Sequence, residues 1–408
     1  MEIVLASNFD DRLVAETRDL PVSTFFGNYP RTLTGGGRPP AILPPVDAER
    51  FRRHLEVVHR AHRVFYATIN SADLGLHEYQ PGFAEAFLKE VGDLLDLGVD
   101  GFVVALPLLI ELLHREHPSV PISVSTFARV RTVNQAEYFR SLGAETIVLE
   151  EANRDFALLR GLVRHGHRVE VLVNQTCLSG CPFRAHHLTT SSLAAQPGTP
   201  CPAFEYPILE CGLEYLRDPG RLLSSILVRP EDLEVFEEVG VSRFKISGRN
   251  KPTDWLVRSA RAYAARSYPG NLLDILSFVQ VRGPRGFLAA RADASPEAAA
   301  YAEAFAALEG LSIDNAQIPK GFLRRIAATD CERLSCAECG YCGGVAARTM
   351  RIRGQPLRAY TPPPGLRAPA GLLPIIGSAP DRTTPAASGG PSVAAAVPGR
   401  ATAAGSAP

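Results

Sequence analysis

The sequence has no excess of either charge: Lys and Arg total 43, Asp and Glu total 43, and the formal net charge is zero. That balance argues against a general affinity for nucleic acid or a membrane surface, while leaving a local basic groove open. Long apolar runs are missing too. The most apolar stretch, Gly101 to Leu113, contains Pro107 and Glu111 and is too short to span a bilayer. The opening residues, MEIVLASNFDDRL, carry neither a basic n-region nor a long apolar h-region. A cytoplasmic protein without a membrane partner is expected. There is no G-x-S-x-G elbow, no H-E-x-x-H and no evident triad, so the common hydrolase motifs give no lead.

Apolar residues and cysteine are well supplied. At 408 residues and 46% hydrophobic, the chain can bury a large core, as one big domain and a smaller one. The 8 cysteines fall into two groups. In a reducing compartment clustered cysteines are more often metal ligands than disulfides.

Strand-like and helix-like segments alternate over residues 1–268. Apolar runs at Ile3–Ala6, Val22–Phe26, Val64–Ile69, Gly101–Ala105, Pro121–Val124, Thr146–Leu149, Val169–Val173 and Arg243–Ile246 read as short buried parallel strands. Helical segments lie between them. One of these, Pro230–Val239, starts on proline and is followed by Gly240. The pattern predicts an α/β fold, a (β/α)8 TIM-like barrel, with a doubly wound open sheet as the alternative. An insertion at about 174–229 separates the last two strands and carries the first cysteines. Residues 269–355 read as a small C-terminal cysteine-rich module, with a strand or two in Leu272–Ala290 and a helix at Pro296–Leu308. Residues 356–408, rich in Pro, Ala, Gly and Ser, read as a disordered tail.

Cys177 and Cys181 form a C-x3-C pair just after the seventh strand, and Cys201 and Cys211 follow across a Ser/Thr/Pro-rich segment. Cys331, Cys336, Cys339 and Cys342 form a compact C-x4-C-x2-C-x2-C group with small residues between them. Four thiolates so close wrap one cubane or one tetrahedral ion, so iron–sulfur and structural zinc are both open. In the first group Cys201 is either a fourth ligand or a bystander. Three thiolates would leave one iron open to substrate. His186 and His187 read as polar loop residues rather than ligands. Lys245 lies within the eighth strand, and Arg249 follows it, where βα loops build barrel sites. Arg249 suits a bidentate grip on a carboxylate or phosphate, or a structural pair with Glu150 or Glu151.

The segment GFVVALPLLIELLHREHPSVPISVSTFARVRTVNQAEYFRSLGAETIVLEE resembles the middle of the collagenase-like peptidases, family thirty-two of the unassigned-type peptidases. FKISGR resembles that family's FKIEGR-type signature, and both cysteine groups fit the same picture. The resemblance runs from about Ile3 to Ile352. It is closest in kind to members that act as oxygen-independent hydroxylation proteins, in anaerobic ubiquinone synthesis or on tRNA and rRNA bases. Some of these use prephenate as oxygen donor. The resemblance implies a [4Fe–4S] cluster on Cys177, Cys181 and Cys211, with Cys201 as the fourth ligand. Two departures stand out. Asn174, Gln175 and Thr176 replace a His-Gly-Ala-type sequence, and Ser247 replaces the signature's Glu.

The expected function is therefore an iron–sulfur protein with one or two [4Fe–4S] clusters that hydroxylates or otherwise modifies a small metabolite or an RNA base without O2. Lys245, Arg249 and Glu150 are the candidate catalytic groups, and Asn70, Ser125 and Asn174 the candidate substrate contacts at strand ends. An electron donor or a paralogous heterodimer partner is the expected protein contact. The alternatives are a peptidase and a non-enzymatic cluster carrier in a heterocomplex.

Overall fold

The computed structural model describes residues 1–29, 32–196, 206–278, 289 and 296–364. Eight parallel strands close into a barrel in chain order. They are β1 (Glu2–Ala6), β2 (Val22–Gly27), β3 (Val64–Ile69), β4 (Gly101–Val104), β5 (Ile122–Val124), β6 (Thr146–Leu149), β7 (Arg168–Leu172) and β8 (Arg243–Ile246). Closure comes from β8 pairing with β1, in register Val4 to Lys245 and Leu5 to Ile246. The barrel expectation holds and the open sheet is excluded.

Side chains alternate across each strand, and the register places their two faces. Ile3, Leu5, Phe25, Phe65, Phe102, Ile122, Ile147, Val169, Val171 and Phe244 share one face, and all are buried. This face carries the apolar core that the helices cover. The other face, toward the barrel axis, includes Thr24, Thr68, Ser123, Thr146, Glu170, Arg243 and Lys245, buried but polar. Strands buried on both sides thus read as nearly continuous apolar runs with isolated polar positions.

The helices are α1 (Asp11–Glu16), α2 (Ala48–Arg60), α3 (Phe83–Asp96), α4 (Pro107–Glu116), α5 (Val133–Ser141) and α6 (Phe156–Arg164). Several starts are set by side-chain caps: Asp10, Asp47, Thr132 and Asp155 each accept an N–H from the first turn. The region 174–229 is largely helical, with α7 (Arg184–Leu193) and α8 (Tyr206–Arg217). The expected helix at Pro230–Val239 is a 3₁₀ turn, Pro230–Asp232, followed by one short helix, Leu233–Glu237. Where a strand or two was expected from Leu272, the described part holds a 3₁₀ turn at Leu272–Asp274 and a single bridge from Ser277 to Gln175. The rest of that expectation lies outside the described residues, as does the tail beyond residue 364. A helix forms at Pro296–Ala306, as its alanines suggest. A three-stranded antiparallel sheet follows, of Leu311–Ile313, Met350–Ile352 and Gln355–Pro356. No helix among the described residues is long and apolar enough to cross a membrane.

Candidate active site at the carboxyl rim

The loop leaving β7 is fastened to the end of β8. Asn174 donates through Nδ2 to the Ser247 carbonyl at 2.9 Å and accepts the Ser247 N–H at 2.8 Å. Gln175 donates to Ser247 Oγ at 2.6 Å. Thr176 donates to the Ser277 carbonyl at 3.0 Å, and its own carbonyl accepts from Tyr215 Oη at 2.5 Å. These bonds hold Cys177 at the carboxyl end of the barrel, the end at which Arg249 also emerges. Asn174, expected to touch substrate, spends its amide on this staple.

Cys177 and Cys181 come from the loop and Cys211 from the buried side of α8. Burial pushes the Cys177 thiol up to about 12, with the Glu150 carboxylate adding to it. Burial also raises Cys211, and the neighbouring Cys177 and Cys181 raise it further, so three thiols from two segments share one electrostatic neighbourhood. Cys201 lies outside the described residues. Glu150, at the end of β6, accepts from Cys177 Sγ at 3.7 Å and is ion-paired to Arg184 of α7. Arg184 in turn donates to Cys177 Sγ at 3.6 Å. His186 sits exposed on α7.

The second group lies beyond the barrel. Ser335 and Glu338 form a reciprocal capping box that starts the one-turn helix Cys336–Cys339. Cys331, Cys336 and Cys339 are exposed and Cys342 is partly covered. Burial raises Cys342 to about 11, and the buried Arg154 opposes this while the other three thiols add to it. Arg154 donates only to the backbone carbonyls of Leu223 and Leu227.

No three His, Cys, Asp or Glu side chains among the described residues converge on a single metal ion. Tetrahedral zinc with Zn–S near 2.3 Å needs sulfurs roughly 3.8 Å apart. A cubane spreads its thiolates more widely, because each binds a different iron. Arg184 and Arg154 stand beside the two cysteine groups, and the Nε of each is buried with no hydrogen-bond partner. An anionic thiolate-ligated cluster would give each Nε an acceptor. The donor set at Cys177, Cys181 and Cys211 therefore fits such a cluster, as does the set at Cys331 to Cys342.

Arg249 is buried, and its Nη1 bonds Asn28 Oδ1, Thr68 Oγ1 at 2.8 Å and the Gly36 carbonyl at 3.0 Å. No carboxylate is among these partners. Burial holds its guanidinium well below the usual arginine value, and Arg38 adds to the effect. Gly36 is required for this packing: a Cβ there would fall 1.3 Å from Asn28 Nδ2. Arg249 opens on a cavity of about 620 Å³ that Ser7, Phe9, Asn28 and Arg50 also line. That volume suits a small molecule.

Lys245 lies elsewhere. Its ammonium is inside the barrel, 2.7 Å from Glu170 and 4.0 Å from the centre of the Phe26 ring. Arg243 holds the other Glu170 oxygen at 2.7 Å. The expected partners Glu150 and Glu151 go to other arginines: Glu150 to Arg184, and Glu151 to Arg129 at 3.0 Å and Arg131 at 3.5 Å. Asn70 donates to Ser125 Oγ at 2.8 Å, linking the ends of β3 and β5, and its Oδ1 is buried without a partner.

The structure also assembles three side chains that the sequence did not single out. Ser7 Oγ stands 2.8 Å from His54 Nε2, and His54 Nδ1 stands 2.7 Å from Asp11 Oδ1. Ser7 follows β1, Asp11 opens α1 and His54 lies on α2, so only the barrel closure and helix docking unite them. No spacing rule would have found them.

Residues 45–158 match the model of peptidase family U32. A protein of Methanocaldococcus jannaschii described as an uncharacterized protease is 26% identical over 244 residues, covering 59% of this chain and 72% of the relative. A solved structure of a U32 peptidase aligns with a TM-score of 0.47 at 18% identity, covering 61% of this chain and 93% of that one. The resemblance to family thirty-two is borne out.

Proposed function

We propose that this chain, whose residues 45–158 carry the peptidase family U32 signature, is an iron–sulfur barrel protein that modifies a small anionic molecule or an RNA base without O2. The observation that carries the reading is the gathering of Cys177, Cys181 and Cys211 at the carboxyl rim, with the Arg184 guanidinium donating to Cys177 Sγ beside them. When bound, a cluster there supplies one-electron transfer or an open iron site. A guanidinium donor to sulfur would stabilise its added negative charge and raise its potential. Glu150 holds Arg184 in place against Cys177. The Asn174 and Gln175 bonds to Ser247 keep the ligand loop from moving relative to β8. Arg249, with neutral partners only, would bind the anionic end of a substrate in the adjacent cavity.

The test is anaerobic purification of the full chain with iron, sulfide and zinc analysis. A brown protein with iron and acid-labile sulfide is expected, and Cys177→Ala, Cys181→Ala and Cys211→Ala should each lose part of both. Stoichiometric zinc without labile sulfide would end this reading.

A further inference from the structure

We propose that Ser7, His54 and Asp11 form a nucleophilic relay at the floor of the Arg249 cavity, cleaving small acyl esters that carry a carboxylate. Ser7 and His54 are each 1% exposed, yet Ser7 lines the cavity of about 620 Å³. Its Oγ faces His54 Nε2 at 2.8 Å, within the range for a nucleophile and its base. Asp11 accepts from His54 Nδ1 at 2.7 Å, which assigns the ring proton to Nδ1 and leaves the Nε2 lone pair toward Ser7. The carboxylate is 46% exposed, but the imidazole it orients is packed edge-on against Phe9, at 5.4 Å, and Phe65, at 6.3 Å. The base is thus fixed in one rotamer and one tautomer.

The backbone around the serine holds Oγ in one orientation. Ser7 sits at the carboxyl end of β1, the face on which barrel enzymes place their chemistry. The chain then turns sharply, with Phe9 at φ 60°, a left-handed value that a bulky residue adopts only under constraint. The Phe9 N–H donates to Ser7 Oγ at 3.0 Å and fixes its orientation.

The same cavity supplies recognition. Asn28 and Arg249 line it with Ser7, and Asn28 Oδ1 is taken up by Arg249, which turns the Nδ2 donor away from that bond. A buried guanidinium with only neutral partners selects an anion.

The chemistry balances without a redox partner. Ser7 Oγ bonds to the acyl carbon as its proton passes to His54 Nε2. The ester C–O bond breaks, and His54 returns that proton to the leaving alkoxide. Water then attacks the acyl-serine, giving a proton to His54. The carboxylic acid leaves and Ser7 regains its proton.

The test uses the full chain, purified anaerobically, so that it is independent of whether iron is bound. A fluorophosphonate should add to one serine, mapped by peptide mass to Ser7. The native chain should hydrolyse the p-nitrophenyl monoester of succinate faster than p-nitrophenyl butyrate. Ser7→Ala should abolish both labelling and turnover, and His54→Gln should slow both by about 100-fold or more. Asp11→Asn alters a partly exposed group and should keep the fold, checked by circular dichroism, while slowing labelling at least about tenfold. Arg249→Gln should raise KM for the succinate ester by a larger factor than for the butyrate ester. Absence of labelling in the folded native chain, or labelling that Ser7→Ala leaves intact, would overturn the relay and leave these bonds as a structural link between β1 and α2. Equal Arg249→Gln effects on the two esters would overturn the anionic substrate class. Loss of iron with labelling intact would count against the cluster and not against the relay.

Discussion

Lys245 shows how a charged residue inside an apolar strand finds a role. Burial alone would raise the Glu170 pKa, but Lys245 and Arg243 outweigh it and hold the carboxylate below its ordinary range. The ion pair is internal to the barrel, and Glu2 adds a second carboxylate to Arg243. Removing Lys245 leaves Glu170 with Arg243 as its one buried cationic partner, a loss of at most about 3–5 kcal/mol. Lys245→Met should therefore lower the urea midpoint strongly while leaving iron content per folded chain unchanged. A variant of native stability that has lost turnover would instead assign Lys245 to the chemistry. The sign of the acid response follows. Glu170 has a depressed folded pKa, so its stabilisation is complete above the unfolded carboxylate value and is lost as pH falls through the folded one.

At the scale of single elements, α3 carries the opposite case. Glu90 lies on its inner side, where burial raises its carboxyl to about 7, opposed by the Leu33 N–H and reinforced by Asp93. One of its oxygens is buried without a partner. A carboxyl with a raised folded pKa is protonated in the native chain while the unfolded chain ionises. Stability from this group is thus present below about pH 4.5 and lost as pH rises to about 7. Glu90→Gln keeps an acceptor for Leu33 and removes the penalty. The variant should be more stable than the native chain at pH 8, by at most about 3 kcal/mol, and equal to it near pH 4. Denaturant melts at the two pH values decide this, and a constant difference would assign the effect to packing.

The molecule as a whole places its two cysteine groups differently. The first is built into the barrel rim by β7, α7 and α8. The second supplies all its thiols from one segment, Cys331 to Cys342, in which Glu332 is ion-paired to Arg131 at 2.8 Å. Phe322 and Tyr341 stack at 5.7 Å there, and Arg229 lies over Phe322 at 5.6 Å. Met350–Ile352 then pairs with Leu311–Ile313. We expect this second site to be chiefly structural. Cys339→Ala should lower the thermal midpoint or solubility more than Cys201→Ala does. Equal stability of the two variants, with activity lost only in Cys339→Ala, would make the distal site a functional one.

The strands, their order and the barrel were legible because each strand is buried on both faces, and such strands form apolar runs that stand out from any surrounding helix. Val64–Ile69, Thr146–Leu149 and Arg243–Ile246 needed no revision. The cysteine spacing was equally plain, since it is read directly from the chain. Less was legible where local chemistry is ambiguous. The His186 segment reads as a polar loop, yet α7 forms there because Arg184, Leu188 and Ser192 have a surface to bury against. The partners of Lys245, Arg249 and Glu150 were beyond reach for another reason. A strand sequence states which way a side chain points, but not which residue a closed barrel brings opposite it. Ser7, Asp11 and His54 are the clearest instance. Each is ordinary in its own segment, and only the docking of α2 against the end of β1 makes them one site, because hydrogen bonds of this length depend on the tertiary fold and leave no period in the chain.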